Sequence, residues 1–402
     1  MPQDIGQADA AGGLIRALSD RSQIDPFIVM DVMRAAAAAE AEGRSIIHME
    51  VGQPGTAAPL VARQAAARAI ETDKLGYTLA LGNPHLRARI AQHYADTYGV
   101  TVSPERIVVT SGSSAGFVLA FLALFNAGDR VGVPVPGYPC YRQVLSALGV
   151  EPVDLRTGAD TRWMPDAAAI EALAADAPLS GVMIASPNNP TGTMVDRARL
   201  QDLVAASERV GAWFISDEIY HGLCYGQSET TALAVSDRVV VINSFSKYFS
   251  MTGWRVGWMV VPGAMVATIE KLTQNLFISA PAISQIAALA AFDATEELEE
   301  NRARYAANRD RLLAGLREIG FDRIVPADGA FYLYADVSAW TDDSLAFSRR
   351  MLDEVGVACT PGLDFDAEQG AGFIRFSYAG TEADVTACLE RLAGWPALQV
   401  TR

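Results

Sequence analysis

The chain has 402 residues, 50% of them hydrophobic and 20% charged, which describes a globular protein with more than one core and not a disordered segment. Its net charge of −15 argues against a surface for nucleic acid or anionic membrane. The cysteines (Cys140, Cys224, Cys359, Cys388) form no CxxC pair and the histidines (His48, His85, His93, His221) show no ligand spacing, which argues against a disulfide framework or a zinc site. Met1–Gly13 lacks the charged-then-apolar pattern of a secretory leader, and the most apolar helix candidate, Ala115–Ala127, is too short to span a bilayer. A soluble cytoplasmic protein is the expectation.

Residues 1–24 read as an N-terminal arm. Asp25-Pro26 predicts a helix start, with a capping carboxylate and a proline at the first helical position, and Gly43 its end. Ser45–Val51 reads as a strand. Short apolar runs then alternate with helical stretches. The runs Ile107–Thr110, Arg130–Pro134, Pro152–Leu155, Val182–Ser186, Trp213–Asp217, Val239–Asn243 and Val256–Val261 predict strands. Between most of them lie helix candidates such as Ser114–Ala127, Tyr141–Leu148 and Asp196–Val210. That alternation predicts an α/β fold, a largely parallel seven-stranded sheet covered by helices on both faces. From about residue 295 a long charged helix (Glu296–Ile319) precedes strands near Phe331–Asp336 and Phe373–Tyr378. The expected division is a large domain over 51–294 and a smaller α+β domain from 25–50 and 295–402.

The chemistry concentrates at strand ends. Ser244-Phe245-Ser246-Lys247 follows the sixth run, and Arg255 stands eight positions past the lysine. A lysine flanked by hydroxyls and a guanidinium suits an amine that bonds the aldehyde of pyridoxal phosphate while its neighbours hold the phosphate oxygens. The plainer reading is a solvated Lys and Arg in a Ser-rich turn. Asp217, ending the fifth run, suits a counter-charge for the ring nitrogen, and Tyr220 a hydrogen bond to the ring's phenolic oxygen. A strand-end cap by Asp217-Glu218 is the alternative. Asn189, in the turn Ser186–Gly192, has an amide for the same oxygen. Ser111-Gly112-Ser113-Ser114 joins a strand to a helix and offers an anion cradle, though it matches no P-loop. Tyr138, in Pro136-Gly137-Tyr138-Pro139, suits stacking on a flat ring or simple packing.

These motifs, in this order, resemble the class I/II aminotransferases of the fold-type I pyridoxal-phosphate superfamily, in the aspartate-aminotransferase-like branch. The resemblance runs from about Leu18 to Leu392 and is most specific at Ser186–Gly192 (SPNNPTG), Asp217–Tyr220 (DEIY) and Ser244–Arg255 (SFSKYFSMTGWR). Gly82–Arg87 and Phe373–Ser377 fit as well. It implies that Lys247 is the Schiff-base lysine and that Asp217 pairs with the pyridinium nitrogen. It implies further that Asn189 and Tyr220 hold the phenolic oxygen, that Tyr138 stacks, and that Ser113, Ser114, Ser244, Ser246 and Arg255 take the phosphate. Tyr77 resembles the tyrosine that reaches the phosphate from a partner subunit, which implies a homodimer with sites at its interface. Arg375 resembles the arginine that grips the substrate carboxylate, and Gly52 the glycine whose backbone lies against it. The implied activity moves an amino group from an α-amino acid to a 2-oxo acid through a pyridoxamine intermediate, with no metal.

Other readings remain beside it. A carbon–sulfur β-lyase of the same fold shares every cofactor motif. A pyridoxal-sensing transcription regulator needs a basic DNA-binding domain ahead of residue 25, where an acidic arm stands. A catalytically dead binding module would not need the lysine, aspartate and arginine together. For the substrate, Phe27-Ile28-Val29 is apolar, as are Phe277 and Ile278, and the helix candidate Ala115–Ala127 holds no cation. The expectation is a preference for neutral donors over aspartate, with Arg142 able to supply a charge to 2-oxoglutarate.

Overall fold

The structure is a computed structural model and describes residues 18–399, so the expected arm before Leu18 lies outside the described residues. Strands run in chain order as β1 (Ile47–His48), β2 (Ile107–Thr110), β3 (Arg130–Val135), β4 (Glu151–Arg156), β5 (Gly181–Ala185) and β6 (Trp213–Asp217). They continue as β7 (Val240–Ser244), β8 (Gly257–Val260), β9 (Tyr332–Asp336), β10 (Val357–Ala358), β11 (Thr360–Pro361) and β12 (Phe373–Ser377). Seven of them form one sheet in the order β2-β8-β7-β6-β5-β3-β4. All neighbours pair in parallel except β8, which runs antiparallel to both β7 and β2.

Period-two alternation explains why helices cover both faces. Val182 and Ile184 of β5 join one apolar cluster while Met183 and Ala185 join another, and Val241 of β7 likewise faces away from Val240 and Ile242. A helix on one face only would leave one of these buried rows in water. The reversed strand β8 has a further consequence. Parallel α/β sheets present ligands at the carboxyl ends of their strands. Running backwards, β8 begins at that same edge, and so Arg255, just before it, joins residues that follow the other strands.

A second cluster gathers Ile47 and Met49 with the long helix Thr295–Ile319 and the three-stranded antiparallel sheet β11-β12-β9. Here β1 pairs in parallel with β10. Two expectations change in this region. The first helix spans Ile28–Ala41, and Asp25 does not cap it; the amide of Ile28 donates instead to Asp364 Oδ1 at 2.7 Å. Asp25 engages Gln143 through its own amide. A capping acceptor 336 positions away overrides the local Asp-Pro signal. The expected strand Ser45–Val51 shrinks to two paired residues because its end turns into the site: Glu50 O accepts from Arg375 at 2.6 Å. Among the described residues no helix is long and apolar enough to cross a membrane.

Candidate active site

One cavity of roughly 330 Å³ opens at the strand-end edge of the large sheet. Of the residues singled out above, Gly52, Ser113, Ser114, Tyr138, Asn189, Asp217, Tyr220, Ser246, Lys247, Arg255 and Arg375 all line it. Ser244 lies behind Ser246, buried, with its hydroxyl donating to Val256 O at 3.1 Å and lying 2.8 Å from that of Ser246. Tyr77 is outside this cavity and 84% exposed.

Lys247 donates from Nζ to Gly52 O at 2.5 Å. Burial, then the nearby Arg375 and Arg255 guanidinium groups, pull its pKa down to about 8 against the opposing pull of Asp217. Asp217 accepts from the Tyr141 hydroxyl and from the Ile219 amide at 3.0 Å. Burial still outweighs those donors and raises its pKa to about 6. Arg375 is 3% exposed and donates to Asn189 Oδ1 (2.8 Å), Glu50 O (2.6 Å) and Thr360 Oγ1 (3.1 Å). Its Nε has no partner, and its guanidinium lies over the rings of Tyr332 (4.3 Å) and Phe365 (4.9 Å). Tyr220 shares a 2.7 Å hydrogen bond with Tyr332.

At the other end, the helix Ser113–Leu124 starts on the cavity with Gly112 before it at φ 78°. A Cβ at Gly112 would come within 2.3 Å of the Arg255 guanidinium, so only glycine lets loop and arginine meet. Arg255 itself donates to Thr252 O at 3.0 Å and, among the described residues, forms no ion pair with a carboxylate.

Tyr141, Tyr332, Phe117, Thr252, Asp364 and Phe365 also line the cavity, and the sequence alone does not single them out as site residues. The spacing of Tyr138 and Tyr141 across the start of the helix Pro139–Ala147 was an available signal. For Tyr332, at the start of β9, and for Phe365 there was none. Arg142 does not line the cavity; it pairs with Asp154 at 2.5 Å, so the charge expected from it for an acceptor is already engaged. Phe277 and Ile278 do not line it either. Phe277 packs beneath the sheet and Ile278 is exposed.

The arrangement leaves three charges without an ion-pair partner among the described residues: the buried Arg375 guanidinium and Asp217 carboxylate, and the exposed guanidinium of Arg255. Each isolated ion in a low-dielectric site costs several kcal/mol unless a ligand compensates it. A phosphate at Arg255, Ser113 and the helix start, a protonated ring nitrogen at Asp217 and a carboxylate at Arg375 fit that pattern.

A family model described as aminotransferase class I and II matches residues 44–392. The valine–pyruvate aminotransferase of Mycobacterium tuberculosis is 48% identical over 379 residues, 93% of this chain and 97% of that protein. The aspartate/prephenate aminotransferase of Thermus thermophilus is 30% identical over 385 residues, 94% of this chain and 98% of that one. Among solved structures, an aminotransferase from Mycobacterium tuberculosis superposes with a TM-score of 0.93 at 48% identity, covering 95% of this chain and 99% of its own. The aspartate aminotransferase from Thermus thermophilus with maleate gives 0.89 at 30%, covering 94% and 99%. The chain belongs to the class I/II aminotransferase family, and its fold is that of the aspartate-aminotransferase-like fold-type I enzymes. It is a pyridoxal-phosphate-dependent enzyme that transfers an amino group from an amino acid to a 2-oxo acid.

Proposed function

We propose that the enzyme takes its amino group from neutral amino acids with aliphatic side chains and passes it to a small 2-oxo acid such as pyruvate. The observation that carries this is the apolar part of the cavity wall: Phe27, Val29, Met30 and Met33, brought in by the first helix. A second carboxylate there, with no cation to meet it, would be destabilised by several kcal/mol. Each methylene buried on that wall instead contributes about 0.8 kcal/mol. The name of the Mycobacterium tuberculosis relative agrees with this direction.

In this reading Lys247 is the covalent attachment point, and Ser113, Ser114, Ser246 and Arg255 hold the phosphate with Ser244 supporting Ser246. Asp217 pairs with the ring nitrogen, held in orientation by Tyr141. Asn189 and Tyr220 hold the phenolic oxygen, and Tyr138 stacks on the ring, with Phe27 against its other surroundings at 5.8 Å. When bound, pyridoxal phosphate supplies the aldehyde that takes up the amino group and a ring that draws electrons from the neighbouring carbon. Arg375 clamps the donor's carboxylate with two parallel hydrogen bonds, beside the Gly52 backbone, and so fixes the direction of the Cα–H bond. Lys247 Nζ, with a pKa near 8, is neutral often enough to take that proton.

The enzyme is further proposed to work as a homodimer in the cytoplasm, in amino-acid biosynthesis. Support for the dimer comes from Tyr77, Leu79 and Ile278, exposed apolar side chains, and from an open hollow beside Arg255 bounded by Pro54, Thr56 and Trp254. Support for a reducing compartment comes from four buried free cysteines. The division into domains 51–294 and 25–50 with 295–402 is proposed on the separate clusters around the two sheets.

Competition kinetics test the donor class. With pyruvate as acceptor, L-valine, L-isoleucine and L-leucine are expected to exceed L-aspartate in kcat/KM by roughly tenfold or more. A clear preference for aspartate would overturn the reading.

A further inference from the structure

We propose that Asp364 determines donor specificity: its carboxylate anchors the apolar helix over the cavity and turns acidic side chains away. The inference rests on the neutral-donor reading and names the residue responsible for it. Asp364 ends the short turn Gly362–Asp364 between β11 and Phe365, is 9% exposed and lines the same cavity as Lys247 and Arg375. Its Oδ1 accepts the first amide of the helix Ile28–Ala41, at 2.7 Å.

One side chain thus does two things. It satisfies an orphan amide at the start of the helix, holding Phe27, Val29, Met30 and Met33 against the cavity. It also sets a negative charge into the cavity wall, between the start of that helix and Arg375. Asp364 forms no ion pair among the described residues; burial raises its pKa above the ordinary carboxylate value and Asp31 adds to that, while the Ile28 and Val29 amides and Arg375 favour the charged form. Once a donor's α-carboxylate occupies Arg375, that compensation is shared and the negative character of the wall at Asp364 increases. An aliphatic side chain meets only the apolar surface of the helix. A second carboxylate meets a like charge in a compartment that screens poorly.

A cap alone would also explain the 2.7 Å bond, so the test separates cap from charge. Asp364→Asn keeps an oxygen for the Ile28 amide and removes the charge, whereas Asp364→Ala removes both. Cofactor-loaded enzyme is titrated calorimetrically with isovalerate and with succinate, the deaminated skeletons of valine and aspartate, and kcat/KM is measured for both amino acids. Asp364→Asn is expected to tighten succinate and raise kcat/KM for aspartate by roughly tenfold, changing isovalerate far less. Asp364→Ala is expected to weaken isovalerate and lower the Tm as the helix loses its cap. If unaltered enzyme prefers isovalerate but Asp364→Asn leaves succinate binding unchanged, or alters both acids equally, the role of Asp364 is overturned while the neutral-donor reading stands. If unaltered enzyme binds both acids alike, both fall.

Discussion

Replacing Lys247 with alanine is expected to abolish covalent capture of pyridoxal phosphate and to lower turnover by at least about a thousandfold, the combined loss of a nucleophile and of a proton carrier. Among the described residues, the cavity holds no second lysine to substitute for it. Borohydride reduction followed by mass spectrometry reads the attachment directly; a cofactor still fixed covalently in the variant would show that another amine is used. The wild-type protein stripped of cofactor adds a pH signature. The neutral amine is the attacking form, and burial with Arg375 and Arg255 brings its pKa to about 8. Capture should therefore accelerate as the pH rises and level off above about 8, well below the ordinary lysine range near 10.4. The same depression has a stability consequence. Between these values the unfolded chain binds the proton that the folded chain has lost, so the stripped protein gains stability as pH rises through that window. The alanine variant should not show that gain.

The second large effect concerns Asp217. Its carboxylate is buried, and burial raises its pKa to about 6 despite donation from Tyr141 and Ile219. A cation beside it would restore the charged form, and a protonated ring nitrogen supplies one. Asp217→Ala should leave the lysine attachment intact but let the ring lose its proton, slowing abstraction of the donor's Cα proton by roughly a hundredfold or more. Stopped-flow measurement with Cα-deuterated donor isolates that step, and cofactor absorbance reports content. Equal rates in variant and parent would remove Asp217 from this role.

Much of this site is legible in the sequence because its parts follow local signals. Apolar runs such as Val240–Ser244 announce buried strands, and Ser246, Lys247 and Asn189 come directly after them. What the sequence hides is contact between distant segments. Tyr332 meets Tyr220 across 112 positions, and Arg375 meets Glu50 across 325. The cap on the first helix is of the same kind: Asp25-Pro26 carries the local pattern, yet Asp364 holds the amide. Arg142 shows the opposite error, a cation of the right charge near the right loop whose partner Asp154 becomes visible only when β4 packs beside its helix. Glu218 stands next to Asp217 and is equally buried, but faces Thr231, Ser216 and the Ala232 amide rather than the cavity, as period two along an extended chain requires.

A single-turnover experiment tests amino-group transfer most directly, because transfer must stop after one equivalent per site until a 2-oxo acid is supplied. Cofactor-loaded enzyme is mixed with excess L-valine without any 2-oxo acid, and the 2-oxo acid and ammonia formed are counted per site. The expected result is one equivalent of 2-oxo acid per site, no ammonia, and a halt that pyruvate relieves with stoichiometric formation of alanine. Continued release of ammonia without an added 2-oxo acid, or no product at all from L-valine, would contradict it.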